Sequence, residues 1–441
     1  MPPADVAPSA PPLASPPTFR EALRFWLKLG LISFGGPAGQ IAIMHEELVE
    51  RRRWISERRF LHALNFCMLL PGPEATQLAT YCGWLLHRTW GGIAAGVLFV
   101  LPSALLLWLL SFMYVTYGEL PWLAGAFAGL KPAVTAIVAA AVIKIGQRSL
   151  KNAMLWAIAA AAFVAIFFLR APFPAVIGGA LLLGFFGARA RPNIFALGPK
   201  RADMEAAPGD LRAEAAQPRR SLSRALRVLA VALALWWTPV FALGAWQGWD
   251  GTLARQGIFF SQAALVTFGG AYAVLPYVGQ QAVENFGWLT TAQMLDGLGL
   301  AETTPGPLIM VVQFVGFLGG WNQPGALSPL AAATLGAAIT TWTTFVPCFL
   351  WIFLGAPYLE KLQGHAALGG ALTAVTAAVV GVILNLAVWF GAHVFAPAPG
   401  AIDGFAIALA AAAFATLRIF KNAMIPVLFA CAFAGWLGGL L

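Results

Sequence analysis

The chain has 441 residues, of which 60% are hydrophobic and only 10% charged. A water-soluble domain carries charge on about a quarter of its residues, so this chain cannot cover an aqueous surface, and a soluble fold is excluded. The net charge of +9 does not point to nucleic acid, because 23 of the 27 Lys and Arg fall in residues 1–227 and four in the rest. That imbalance belongs to membrane topology.

In chain order, residues 1–18 are rich in Pro, Ala and Ser with Asp5 as the one charge, and read as a disordered tail. The first membrane repeat is expected over 19–189. Its opening segment, 21–44, carries Arg24 and Lys28, turns apolar and is broken at Phe34-Gly35-Gly36-Pro37, since Gly and Pro both oppose a continuous helix. Residues 46–59 hold five arginines and read as a short cytoplasmic loop. Residues 60–87 carry one formal charge, Glu74, and break at Pro71-Gly72-Pro73. With Arg88 closing the segment on the same side, a re-entrant pair of half-helices is expected. Residues 91–117 pair with 122–143 as a hairpin, and 152–169 with 171–188 as another. Residues 190–227 form a basic linker, cytoplasmic by charge. The second repeat, 228–441, opens with one further crossing. The count comes to about nine full crossings and four broken segments. Cys67, Cys82, Cys348 and Cys431 lack paired spacing and read as buried free thiols, with no metal site.

The two halves echo each other. Phe268-Gly269-Gly270, Trp288-Leu289-Thr290 and Pro305-Gly306-Pro307 each lie 234 residues after Phe34-Gly35-Gly36, Trp54-Ile55-Ser56 and Pro71-Gly72-Pro73. Weaker echoes follow, Ala133-Val-Thr-Ala136 with Ala374-Val-Thr-Ala377, and Lys151-Asn-Ala-Met154 with Lys421-Asn-Ala-Met424. Such self-similarity marks an internal duplication. The arginine-rich loop 46–59 has a copy, 280–293, that contains Glu284 and no Lys or Arg. An arginine-rich loop in one copy and an arginine-free one at the matching place in the other predict opposite orientations. The expected fold is therefore an all-α polytopic membrane protein. Its two homologous halves form inverted-topology repeats with broken, re-entrant helices.

Non-helical backbone survives at membrane depth only inside protein or along a cavity. Four breaks in one register predict a substrate site where the inverted halves meet. Helix starts after Pro73 and Pro307 present free N–H groups and a positive dipole end, which suit an oxyanion; packing kinks are the alternative. Glu74 and Glu302 are intramembrane carboxylates, read as coupling groups or as interfacial residues holding a loop. Lys28, Arg88 and Lys131 are the cations placed to face a bundle interior, or else to snorkel. Gln40, Gln77, Gln313, Thr303 and Thr304 supply neutral polar groups beside the breaks. The five histidines are scattered and no nucleotide-binding loop is present, so an enzyme is not expected and no cofactor is implied.

FGGPAGQIAIMHEELVERRRWIS with LLPGPEATQLATYCG, and FGGAYAVLPYV with TTPGPLIMVVQFVGF, resemble the chromate transporter family in its long, two-domain form. The resemblance implies an inner-membrane carrier that expels chromate from the bacterial cytoplasm and confers resistance, with sulfate as related substrate or competitor. It carries onto Phe34, Gly35, Gly36, Pro37, Gln40, Pro71, Gly72, Pro73 and Glu74, and onto Phe268, Gly269, Gly270, Pro305, Gly306 and Pro307. One departure is visible, Ala271 where the first copy has Pro37. The expected activity is oxyanion export by alternating access. The rivals are a sulfate importer on the same scaffold and a channel-like membrane scaffold. The expected partners are the anion and the bilayer, with no nucleic acid; a homodimer is left open.

Overall fold

A computed structural model of the chain describes residues 15–34, 36–118, 120–195, 221–358, 366–398, 400–420 and 423–438. Most of the expected tail, most of the linker and Gly35 lie outside the described residues. Among those described, secondary structure is helical apart from one isolated bridge. Helix α1 (Phe19–Ile32) opens on a capping box in which Thr18 and Glu21 bond each other's backbone N–H, so the end of the expected tail is built into the fold. Then come α2 (Gly36–His45) with a π-turn (Glu46–Arg51), α3 (Glu57–Cys67), α4 (Glu74–Tyr117), α5 (Pro121–Ser149), α6 (Ala153–Phe167) and α7 (Phe173–Ala190). The second half has α8 (Leu222–Gln247), α9 (Thr252–Val266), α10 (Ala271–Gln280) with its own π-turn (Gln281–Asn285), and α11 (Thr291–Thr303). It ends with α12 (Val311–Asn322), α13 (Pro329–Gly355), α14 (Ala366–Phe395), α15 (Gly404–Ile419) and α16 (Met424–Gly438). From α9 on, the second half repeats the order of the first, down to the π-turns, with α12 and α13 standing for the two limbs of α4. Helix α8 begins inside the segment assigned to the linker.

Helix α4 is not one rod. His87 and Arg88 leave the helical region, Arg88 with φ 55. A Cβ placed on Gly96 would meet the Thr80 hydroxyl, and one on Gly83 would meet Ala95. Along an unbroken helix Thr80 and Gly96 would stand roughly 24 Å apart. The chain therefore doubles back, as expected for the re-entrant segment. Arg88 sits exposed at the tip with its guanidinium 5.9 Å from the Trp84 ring. It does not face the bundle interior, because the reversal places it at the end of the hairpin. Lys28 is also exposed and pairs with Glu47 at 3.7 Å.

Six helices are long and apolar enough to cross a bilayer among the described residues, namely α4, α5, α7, α8, α13 and α14. Helices α6, α15 and α16, expected as full crossings, have only 15, 16 and 15 residues. They span about 22–24 Å against a hydrocarbon core of about 30 Å.

The expected sequential hairpins give way to an exchange. Helix α5 packs chiefly on α15 and α16 of the other half, while α14 packs on α6 and α7. Neighbours in sequence touch less, because apolar surface alone does not choose a partner in lipid and small residues do. Gly129 lies against the Cys431 carbonyl and Gly435, and Gly184 against Gly370 and Ala374. The exchange pairs α6 with α15 and α7 with α16, so the Lys-Asn-Ala-Met echo, which opens α6 in one half and α16 in the other, is out of register.

Gly129→Val should break the α5–α16 crossing, lowering stability by about 1–3 kcal/mol through overpacking. Gly178→Ala, where a Cβ meets nothing within 4 Å, should leave the thermal midpoint in detergent unchanged. Equal midpoints for the two variants would contradict the exchanged packing.

Candidate functional site where the breaks cross

Each half supplies two backbone breaks, and the structure joins them crosswise. Helix α1 stops before Ser33 and Phe34, and α2 restarts at Gly36 with Pro37 in its first turn. Helix α9 stops before Thr267, and α10 restarts at Ala271 after Phe268, Gly269 and Gly270. Between α3 and α4 lies Pro71-Gly72-Pro73, with Pro73 as N-cap of α4. Pro305-Gly306-Pro307 follows α11 and leads through a short turn, Leu308–Met310, into α12. The expected helix starts are thus in place, the second with one tighter turn.

The Gly72 N–H donates to the Thr267 carbonyl and the Gly306 N–H to the Ser33 carbonyl, both at 2.7 Å. These bonds are mutual images: Gly306 lies 234 residues after Gly72, and Thr267 234 after Ser33. Each Pro-Gly-Pro loop is therefore tied to the opposite half's Phe-Gly-Gly break. Gly72 and Gly306 have φ of 122 and 108, a region that only glycine enters freely. A Cβ on Gly306 would collide with Ser103, and one on Gly72 with the Gln77 amide and the Cys348 thiol at 3.2 Å. Ser103 follows Pro102 and Cys348 follows Pro347, the same dipeptide position on the long helices α4 and α13. So each loop is also clamped by the other half's proline-bearing helix.

Around these ties lies a set of buried polar side chains. The Gln40 amide donates to the Gly306 carbonyl, and that of Gln77 to the Pro71 carbonyl at 2.7 Å. The Oε1 atoms of both glutamines have no partner, nor do the hydroxyls of Ser33, Thr76 and Ser103, among the described residues. All five side chains are fully buried. Buried polar groups are nearly always satisfied, and these five around one pair of loops are open to a polar partner. The first-turn N–H groups of α4 and of the turn at Leu308 have no helical acceptor either.

The set is lopsided. The matching positions of the second half hold Thr267, whose hydroxyl bonds back to Ala263, and Val274, Met310, Val311 and Cys348. At these matched positions the open polar groups come from the first half alone. Glu74 stands in the first turn of α4, half-buried and without an ion pair or hydrogen bond among the described residues. Glu302 is buried at the end of α11 and accepts from the Tyr272 hydroxyl. Thr303 and Thr304 donate to Leu300 and Ala301 of their own helix, which uses their protons. Gln313 lies farther along α12, bonded to Ala104 and Thr341.

Lys131 reaches inward and pairs with Asp296 of α11 at 3.6 Å. Sequence reading passed over Asp296, Ser33, Thr76 and Ser103. Ser33 adjoins the Phe-Gly-Gly motif, and the Pro-Ser and Pro-Cys dipeptides form a further echo hidden by a shift to 245 residues.

After the π-turn, Arg52 packs against the rings of Phe25 and Trp54, 5.1 and 4.8 Å from their centroids, while bonding Glu47 at 3.1 Å. Burial pushes the Glu47 carboxyl up, but Arg52, Lys28 and Arg51 outweigh that and hold it below its ordinary value. The matching slot of the second half holds Phe286 against Phe259 and Trp288, at 5.5 and 4.4 Å. One slot accepts a guanidinium plane in one copy and a phenyl ring in the other.

The fold is that of a polytopic membrane protein built from two repeated halves. The chromate transporter family matches the chain twice, over residues 20–185 and 255–436, and the chain belongs to that family. It is 33% identical over 439 residues to a chromate transport protein of Pseudomonas aeruginosa, covering 97% of this chain and 93% of that one. It is 29% identical over 414 residues to a chromate transport protein of Cupriavidus metallidurans, covering 94% and 91%. A Bacillus subtilis protein, uncharacterized transporter YwrB, is 28% identical over 134 residues, 30% of this chain but 68% of its own, the size of a single half. No solved structure matches.

Gly72→Ala and Gly306→Ala should each cost about 1–3 kcal/mol from the forced backbone conformation alone, read as a lower thermal midpoint of the purified protein. A midpoint equal to wild type for both would show that these loops are not held as described.

Proposed function

We propose that this protein exports chromate, a tetrahedral oxyanion, across the bacterial inner membrane by alternating access between two inverted halves. The observation that carries the reading is the group of unpartnered, fully buried polar atoms on the crossed breaks. Three hydroxyls donate to oxyanion oxygens, helped by the N–H groups and dipole of the α4 start. The two amide oxygens cannot donate, and they accept from water that enters with the ligand. The relatives named as chromate transport proteins support the choice of substrate. The chain works as a carrier and not as an enzyme.

The inverted orientation rests on the loop charges and on the Arg52/Phe286 slot. The arginine-bearing π-turn lies on the cytoplasmic side, with the linker, and its ring-bearing copy on the other. Expelling a dianion from a negative interior is favoured by about 4–5 kcal/mol per 100 mV, so the potential alone suffices to drive export.

Chromate uptake into inside-out vesicles should saturate, follow an imposed potential and be competed by sulfate. Uptake absent from well-folded protein, or linear in concentration, would sink the reading. Gln40→Leu and Ser103→Ala should each raise KM about tenfold or more, the loss of one hydrogen bond to a charged ligand. For orientation, Glu50→Cys in one π-turn and Glu284→Cys in the other, both exposed, should react with an impermeant maleimide from opposite faces. Labelling from one common face would end the inverted arrangement.

A further inference from the structure

The crossed breaks offer a dianion neutral donors and no cation, with the Glu74 carboxyl beside them, so a compensating positive charge has to come from elsewhere. Lys131 on α5 is held there by residues of both halves. Its ammonium lies 3.6 Å from Asp296 Oδ1 on α11, and the Tyr114 hydroxyl of α4 donates to Asp296 Oδ2 at 2.9 Å. The Tyr114 ring is wedged edge-on against Phe127 and Phe314, at 5.0 and 5.3 Å, which fixes the hydroxyl. Asp296 is only 5% exposed, yet its Oδ1 has no hydrogen bond. The pair is therefore loosely made on the lysine side and tightly made on the tyrosine side.

Three observations separate this cluster from a structural latch. A buried ion pair is a poor source of stability, because desolvation offsets most of the attraction. The repeat does not need it, since the matching positions of the other half hold His62 and Leu372. It also lies on the helix that leads to the site. Leu130 and Val134, flanking Lys131 on α5, lie 3.5 Å from a Cβ placed on Gly299, on the stretch of α11 between Asp296 and Glu302. Six residues of helix carry the chain about 9 Å from Asp296 to Glu302, and Pro305-Gly306-Pro307 follows directly.

We infer that Lys131 is the cationic contact of the transported oxyanion and that Asp296 is its resident counter-ion, which the anion displaces on passing. The inference rests on the oxyanion reading above and adds to it the charged half of the site. Tyr114 retains the released carboxylate, so Asp296 keeps a hydrogen bond while Lys131 turns to the anion. A carboxylate that stands in for the substrate closes the path when no substrate is present.

The test is chromate binding to the purified full-length protein in detergent, by calorimetric titration, with the thermal midpoint measured alongside. Lys131→Gln should weaken binding about tenfold or more, the loss of a charge-assisted contact, whereas Lys131→Arg should stay within about threefold of wild type. Asp296→Asn should act in the opposite direction and tighten binding several-fold, because the competitor for Lys131 is gone. The neutral pair Lys131→Leu with Asp296→Leu should recover the thermal midpoint but bind as weakly as Lys131→Gln. If both single variants weaken binding alike and the neutral pair restores it, the cluster is a latch and the inference fails. It fails equally if Lys131→Gln binds as wild type does. Wild-type protein that binds no chromate would overturn the oxyanion reading itself, and this inference with it.

Discussion

Two backbone hydrogen bonds, Gly72 to Thr267 and Gly306 to Ser33, are the constraint on which the rest of the structure hangs. Each satisfies a donor and an acceptor that a broken helix has left open at membrane depth, where no lipid can take their place. Neither half can make them alone. A duplicated chain thus solves the problem that its own interruptions create, and the solution forces the four breaks to one place. The glycines are dictated by the same bonds, because the loops must turn at positive φ and pass under Ser103 and Cys348.

On this symmetric frame the chemistry is one-sided. Ser33, Gln40, Thr76, Gln77 and Ser103 come from the first half, while their counterparts are mostly apolar or already bonded. Lys131, Asp296 and Tyr114 likewise have no image. Backbone symmetry and side-chain asymmetry are thus set separately. The Arg52/Phe286 slot shows the same division at the periphery, with shape conserved by stacking and charge set independently.

The exchange of α5 and α14 between partners gives the halves a second hold on each other. Close crossings at Gly129 with Gly435 and Gly184 with Gly370 let backbones approach where bulkier residues would keep them apart. Any movement of one half against the other would have to carry the exchanged helices along.

Sequence by itself determined the membrane class, the duplication, the four breaks and the helix starts after Pro73 and Pro307, because these depend on composition, spacing and local backbone chemistry. The 234-residue register even anticipated the matching π-turns' place in each half, though not their geometry. Only the tertiary structure decided which break meets which, that α5 and α14 exchange partners, and that Arg88 and Lys28 lie outside while Lys131 turns in to Asp296. The reason is physical. In an apolar chain nearly every helix face looks alike to a hydropathy pattern, so partner choice rests on where small residues and polar atoms meet across hundreds of residues. Ser33, Thr76 and Ser103 are ordinary residues in a membrane helix until their neighbours fail to bond them, and that failure exists only in three dimensions.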